Sequence, residues 1–122
     1  MENRITAESK HILVIDDEDG IRSMFEVRLN KYGFKVSTAA NGLHALQKIK
    51  SQLNIDLIIC DLKMKGMTGA QLFGELVKDA NFKSIPFLLI TGHPDRDSLT
   101  SAASGGIKDI LLKPVNNETL IH

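Results

Sequence analysis

A chain of 122 residues makes one domain with room for a single apolar core. Its 15 basic and 15 acidic side chains cancel, so no overall basic field exists to hold nucleic acid or an anionic membrane. Direct nucleic-acid binding by this chain is therefore not expected, and neither is membrane association, because no apolar run approaches the ~20 residues of a span.

Residues 1–10 form a polar lead without the apolar stretch of a secretory leader, and the domain is expected over residues 11–122. The single cysteine, Cys60, cannot make an internal disulfide, which agrees with a reducing cytoplasm. Short aliphatic runs at 11–15, 35–39, 57–60, 87–90 and 110–112 alternate with helix-period stretches. In the first such stretch Ile21, Met24, Phe25 and Leu29 share a face; Leu46, Ile49 and Leu53 do so in the second, and Leu72, Phe73, Leu76 and Val77 in the third. Asn41 is placed to cap the second helix, and Thr68 with Gln71 reads as a capping box for the third. A fourth helix, from about Asp95 to Ser104, offers only Leu99, Ala102 and Ala103 as apolar anchors. The fifth has barely begun at Asn116 when the sequence stops at His122, so the last helix is expected to be short or truncated. Five strands alternating with helices, several of them apolar on both faces, predict a doubly wound parallel sheet covered on both sides.

Chemistry-bearing residues sit where those strands end. Asp16 and Asp17 follow the first run with no basic residue until Arg22; Asp61 ends the third, Thr91 the fourth and Lys113 the fifth. In open α/β sheets ligands bind beyond the carboxyl ends of the strands, where the strand order reverses. In the order 2-1-3-4-5 the first and third strands are neighbours, and three carboxylates converge. Such a set of hard oxygen donors suits Mg²⁺, which keeps several waters and takes one or two protein carboxylates plus a substrate phosphate.

The Asp16-Asp17 pair, the lone Asp61, Thr91 and the Lys113-Pro114 dipeptide, in that order and spacing, resemble the hallmarks of receiver domains of two-component response regulators. "LNKYGFKV", "AANGLHAL" and Gly69, eight residues after Asp61, add to the likeness. The resemblance implies a flavodoxin-like five-stranded fold and a signalling domain that catalyses only its own phosphorylation and dephosphorylation. It makes Asp61 the phosphoacceptor. Asp17 and Asp61 would ligate Mg²⁺ directly, Asp16 mainly through water, and Lys63 through its backbone carbonyl. Lys113 would neutralise phosphoryl charge, Thr91 would donate its hydroxyl to a phosphoryl oxygen, and the Lys113–Pro114 peptide bond would be cis. The implied donor is a phosphohistidine on a sensor histidine kinase or a histidine phosphotransfer protein. The implied output is a C-terminal effector domain or a partner effector.

Some positions depart from the family pattern. Ile110 stands where receivers usually carry Tyr or Phe, which puts the usual output coupling in question; Lys65 and Gly66 replace a common proline, and His44 a frequent glutamate. Lys63 and His93, two residues past Asp61 and Thr91, flank the path a hydrolytic water takes in receivers. Two rivals remain. A degenerate receiver would be an interaction module indifferent to phosphate, whereas a Mg²⁺-dependent aspartyl-phosphate hydrolase would carry an Asp-x-Asp motif on the first strand, where this chain has adjacent acids. Cys60 is expected in the core, and His44 and His122 in solvent.

Overall fold

The computed structural model describes residues 10–51, 54–92 and 109–112. In chain order these hold β1 (His11–Ile15), α1 (Asp19–Lys31), β2 (Lys35–Ala39), α2 (Gly42–Ser51), β3 (Leu57–Asp61), α3 (Gly69–Val77), β4 (Phe87–Thr91) and β5 (Asp109–Leu112). All five strands are parallel in the order β2-β1-β3-β4-β5, as the sequence predicts. The stretches expected to form the fourth and fifth helices, and Leu53, lie outside the described residues.

Alternation along each strand divides the core in two. Leu13, Ile15, Ile58, Cys60 and Leu89 face α2 and α3, where they meet Ala45, Ile49, Leu72 and Leu76. Ile12, Val14, Ile59 and Ile90 face the other way, onto Phe25 and Leu29 of α1. β1 is buried along its whole length because it has strands on both sides and helices on both faces, whereas the edge strand β2 is mostly half-buried. Full burial of each such aliphatic or aromatic side chain contributes roughly 1.5–3 kcal/mol.

Local signals in the sequence shape the helix ends. Asn41 accepts from the His44 amide at 2.8 Å at the start of α2. The Thr68–Gln71 capping box is complete, with bonds of 2.9 and 3.1 Å. Helix α1 ends at Gly33, whose φ of 93° suits glycine alone at little cost. There Phe34 donates to Leu29 O and Gly33 to Asn30 O, the paired bonds of a Schellman ending. One expectation needs correction: Val77 does not share the buried face of α3 but is 39% exposed. It is the last residue of the helix, at the rim of a stripe centred on Leu72 and Leu76, while Phe73 packs edge-on against Phe87 with centroids 5.2 Å apart.

Helix α3 starts hard against the end of β3. A Cβ on Gly69 would stand 2.5 Å from the Asp61 carbonyl oxygen and 2.8 Å from Leu89 Cδ1, whereas one on Gly74, in the middle of the same helix, would meet nothing within 4 Å. The two positions therefore respond with opposite sign to the same substitution. Gly69→Ala is expected to destabilise by about 2 kcal/mol or more, since backbone must move. Gly74→Ala is expected to stabilise by about 0.5–1 kcal/mol through helix propensity and the unfolded chain's lost freedom. Urea unfolding of the two variants beside wild type checks both.

At the opposite rim of the sheet, His11 is a buried histidine. Its Nε2 shares a 2.7 Å hydrogen bond with Ser37 Oγ, its amide donates to Asp56 Oδ2 at 2.8 Å, and the Asp56 amide donates back to its carbonyl at 2.8 Å. Burial, and then the nearby Lys35 ammonium, hold the imidazole below its ordinary pKa; Asp56 and the Asn54 side chain oppose them less strongly. A base whose folded pKa is depressed binds fewer protons folded than unfolded, so its contribution to stability is whole above about pH 6.5 and is lost as pH falls through the lowered folded value. Wild type is thus expected to lose more stability than His11→Gln between about pH 7.5 and about pH 5.5. Equal losses in urea titrations of the two proteins would contradict this role for His11.

Candidate functional site

The parallel register carries the candidate residues to one rim. Ile15 pairs with Cys60 across β1 and β3, so one more residue along each strand sets Asp16 opposite Asp61. Asp61 pairs with Ile90 across β3 and β4, so Thr91 stands one residue beyond it on the neighbouring strand. Asp16, Asp61 and Thr91 are all buried, while Asp17 is exposed. Each carboxylate of Asp16, Asp17 and Asp61 offers an oxygen within 4.8 Å of the other two. Oxygens on opposite sides of a Mg²⁺ stand about 4.2 Å apart, so three donors in this volume fit the ion in number, hardness and spacing.

The loop that carries the acid pair is held from several directions. The Asp16 amide donates to Ala39 O at 3.1 Å, which ties the end of β1 to β2. Asp16 Oδ1 accepts from the Glu18 amide at 2.9 Å and turns the chain toward α1. Arg22 donates from Nη1 to the Asp16 carbonyl oxygen at 2.6 Å and pairs through Nη2 with Asp19. The sequence shows Arg22 only as the first base after the acids; the three-residue spacing from Asp19 on a helix was the available sign of an ion pair.

After Asp61 the chain keeps close to the site. The Leu62 amide donates to Ile90 O and the Gly69 amide to Leu62 O, both at 2.9 Å, so the loop closes on itself before α3 begins. Its turn falls at Gly66, with φ 80°. Lys63 is exposed, and Met64 folds into the core. Gly42, at the start of α2, lets Met67 of this loop approach: a Cβ there would lie 2.8 Å from Met67 Cβ.

Cys60 is fully buried, as expected, with its Sγ 3.3 Å from the Asp61 carbonyl oxygen. Burial first, then the charges of Asp61 and Asp16, push its thiol well above the ordinary range. It is an inert core residue. His44 is exposed, as expected, and Ile110 pairs with Leu89 on β5, half-buried against the α2–α3 side of the core. Lys113, Pro114, His93 and His122 lie outside the described residues; Lys113 directly follows Leu112, the partner of Thr91 across β4 and β5. Among the described residues no helix is long and apolar enough to cross a membrane.

Comparison with known proteins agrees with this geometry. The chain is 34% identical to the transcriptional regulatory protein ZraR of Klebsiella oxytoca over 116 residues, which cover 95% of the chain but 26% of that protein's length. It is 32% identical to the chemotaxis protein CheY of Pseudomonas aeruginosa over 110 residues, covering 89% of the chain and 88% of that protein. Among solved structures, the chemotaxis protein CheY4 of Vibrio cholerae superposes with a TM-score of 0.85 at 32% identity, over 92% of each chain. A family model, the response regulator receiver domain, matches residues 12–122. With the strand order, the three convergent aspartates and these likenesses together, the chain belongs to the response regulator receiver domains, the signalling domains of two-component systems.

Proposed function

We propose that this domain accepts a phosphoryl group on Asp61, in a Mg²⁺-dependent reaction, from a phosphohistidine of a sensor histidine kinase or histidine phosphotransfer protein. The observation that carries the reading is the convergence of Asp16, Asp17 and Asp61 on the carboxyl rim, with Asp61 buried at the end of a central strand. An Asp61 carboxylate oxygen attacks phosphorus as the bond from phosphorus to the donor imidazole breaks, and the imidazole leaves as the neutral ring after taking a proton. Asp17, Asp61 and the Lys63 carbonyl would hold Mg²⁺, with Asp16 acting through water, and the ion would supply positive charge against the phosphoryl oxygens. Lys113 adds its ammonium from the end of β5, and Thr91 donates its hydroxyl to a phosphoryl oxygen.

Thr91 and Ile110, on adjacent strands, carry the change outward. With an aliphatic side chain at Ile110 there is no ring to swing, so the response reaches an effector, in the same polypeptide or separate, by displacement rather than by a rotamer change at this position. The reaction belongs in the cytoplasm, where the kinase presents its histidine. That ZraR is a transcriptional regulator of which this chain spans about a quarter, while CheY is matched over 88% of its length, supports both forms of output. The rival reading, an interaction module indifferent to phosphate, draws on Ile110 alone and leaves the acid cluster without a use.

Incubation of the protein with a small acyl phosphate and Mg²⁺ is expected to add one phosphoryl mass, read by intact mass spectrometry. Asp61→Asn, or wild type in excess chelator, is expected to stay unlabelled. Equal labelling of Asp61→Asn removes the acceptor assignment.

Lys63, exposed beside the acceptor, sets the lifetime of the acyl phosphate together with His93. Its stem covers the phosphoryl group and its ammonium binds the oxygens, which hinders in-line approach of water. Phosphoryl loss after donor removal is expected to be faster in Lys63→Ala and His93→Ala than in wild type. Slower loss in Lys63→Ala shows instead that the lysine stabilises the hydrolytic transition state.

A further inference from the structure

The guanidinium of Arg22 does two things at once. Nη1 donates to the backbone oxygen of Asp16 at 2.6 Å, and Nη2 pairs with the Asp19 carboxylate. The Arg22 amide also donates to Glu18 O at 3.2 Å. One residue, a turn into α1, therefore grips both ends of the segment 16–18, of which the Asp16 and Asp17 side chains enter the acid cluster. Its own side chain is only 19% exposed, while Asp19 is 92% exposed, so the fork lies inward over the loop and the ion pair holds it from the solvent side. Asp17 is exposed and takes its place from this backbone.

We propose that Arg22 is a positioning residue for the Mg²⁺ site: by fixing the Asp16 carbonyl it aims the Asp16 and Asp17 carboxylates at Asp61, and so raises the affinity of a cation it does not touch. The proposal rests on the reading of the three aspartates as that site. It is separable from a plain electrostatic role by sign. Arg22 is a fixed positive charge beside a cation site, and if charge were its whole effect, its removal would tighten Mg²⁺ binding. If it positions the loop, its removal weakens binding, because the carboxylates lose their shared aim. A role confined to stability would lower resistance to urea and leave the affinity of the folded protein alone.

The test is titration of Mg²⁺ alone into the full chain, freed of metal, followed through amide NMR resonances, for wild type, Arg22→Ala and Arg22→Lys. Urea unfolding in chelator reports the metal-free stability of each. Lys keeps the charge and a single donor nitrogen but not the planar fork. Arg22→Ala is expected to bind Mg²⁺ about five- to tenfold more weakly and Arg22→Lys about twofold more weakly, a partial rescue. Unchanged or tighter binding in Arg22→Ala overturns the proposal. Should that variant not fold, unchanged binding in Arg22→Lys overturns it. A wild type that binds no Mg²⁺ overturns the reading of the site itself, and this outcome is visible before any variant is compared.

Discussion

Three carboxylates that place oxygens within 4.8 Å of one another are a charge problem before they are a site. Two unit charges about 5 Å apart repel by about 3 kcal/mol at an effective dielectric near 20, and three such pairs amount to a large part of a small domain's net stability. Chain free to relax would let them separate. Here it is not free. Asp16 and Asp61 extend two central strands buried on both faces and locked in register, and the amides of Asp16 itself and of Leu62 are bound to neighbouring backbone. The sheet holds the acids together, and on the proposed reading a small divalent cation would relieve their repulsion.

The same rigidity decides how a change at the rim can travel. Thr91 is buried at the end of β4, and Ile110 beside Leu89 belongs to the core shared with α2 and α3. Moving a two-state equilibrium from 1:99 to 99:1 takes ~5.5 kcal/mol of differential interaction. Hydrogen bonds to charged groups contribute roughly 1.5–3 kcal/mol each, so in the proposed reaction a hydroxyl from Thr91 and an ammonium from Lys113 would supply most of that only if both contacts formed with the phosphoryl group and not without it. A core that deformed smoothly would dissipate so small a sum. Close packing of Leu89, Ile110 and Leu72 favours discrete rearrangement instead.

Much of this arrangement is legible in the sequence because its signals are local. Aliphatic runs of strand length mark all five strands to within a residue, and Thr68, Gln71 and Asn41 mark helix starts whose capping bonds form as expected. The convergence of the acids needs one more ingredient, the strand order, which the alternation of strands and helices supplies through a general rule for parallel sheets. What stays hidden is set by distant partners. His11 reads as one more polar residue at a strand start, and only the pairing of β1 with β2 buries it beside Ser37. Gly69 fits the family spacing, but the reason for glycine is a carbonyl that arrives from β3. Arg22 looks like an ordinary exposed helix cation until the turn at Glu18 brings the Asp16 carbonyl under it. Val77 fails for the opposite reason: helical periodicity places it near the apolar stripe, yet the helix stops there and the side chain stays 39% exposed.

Parallel topology also gives the two rims different electrostatics. Each strand enters from the rim where the Lys35 amide donates to Lys10 O and where His11 and Asp56 bond each other through backbone and carboxylate. Each strand leaves at the rim of the acids, and α1, α2 and α3 begin in the loops that follow β1, β2 and β3. Helix N-termini carry about half a positive charge each, an effect confined to the first turn. The fold thus gathers partial positive charge from three helix starts on the side where it gathers formal negative charge. Neither is enough to cancel the other: Asp19 in the first turn of α1 uses part of the dipole, and Arg22 is drawn to Asp19 as well as to the loop. The rim is left short of positive charge by an amount that a bound divalent ion would supply, and on the proposed reading a phosphoryl group, with its own negative charge, would make that ion more necessary.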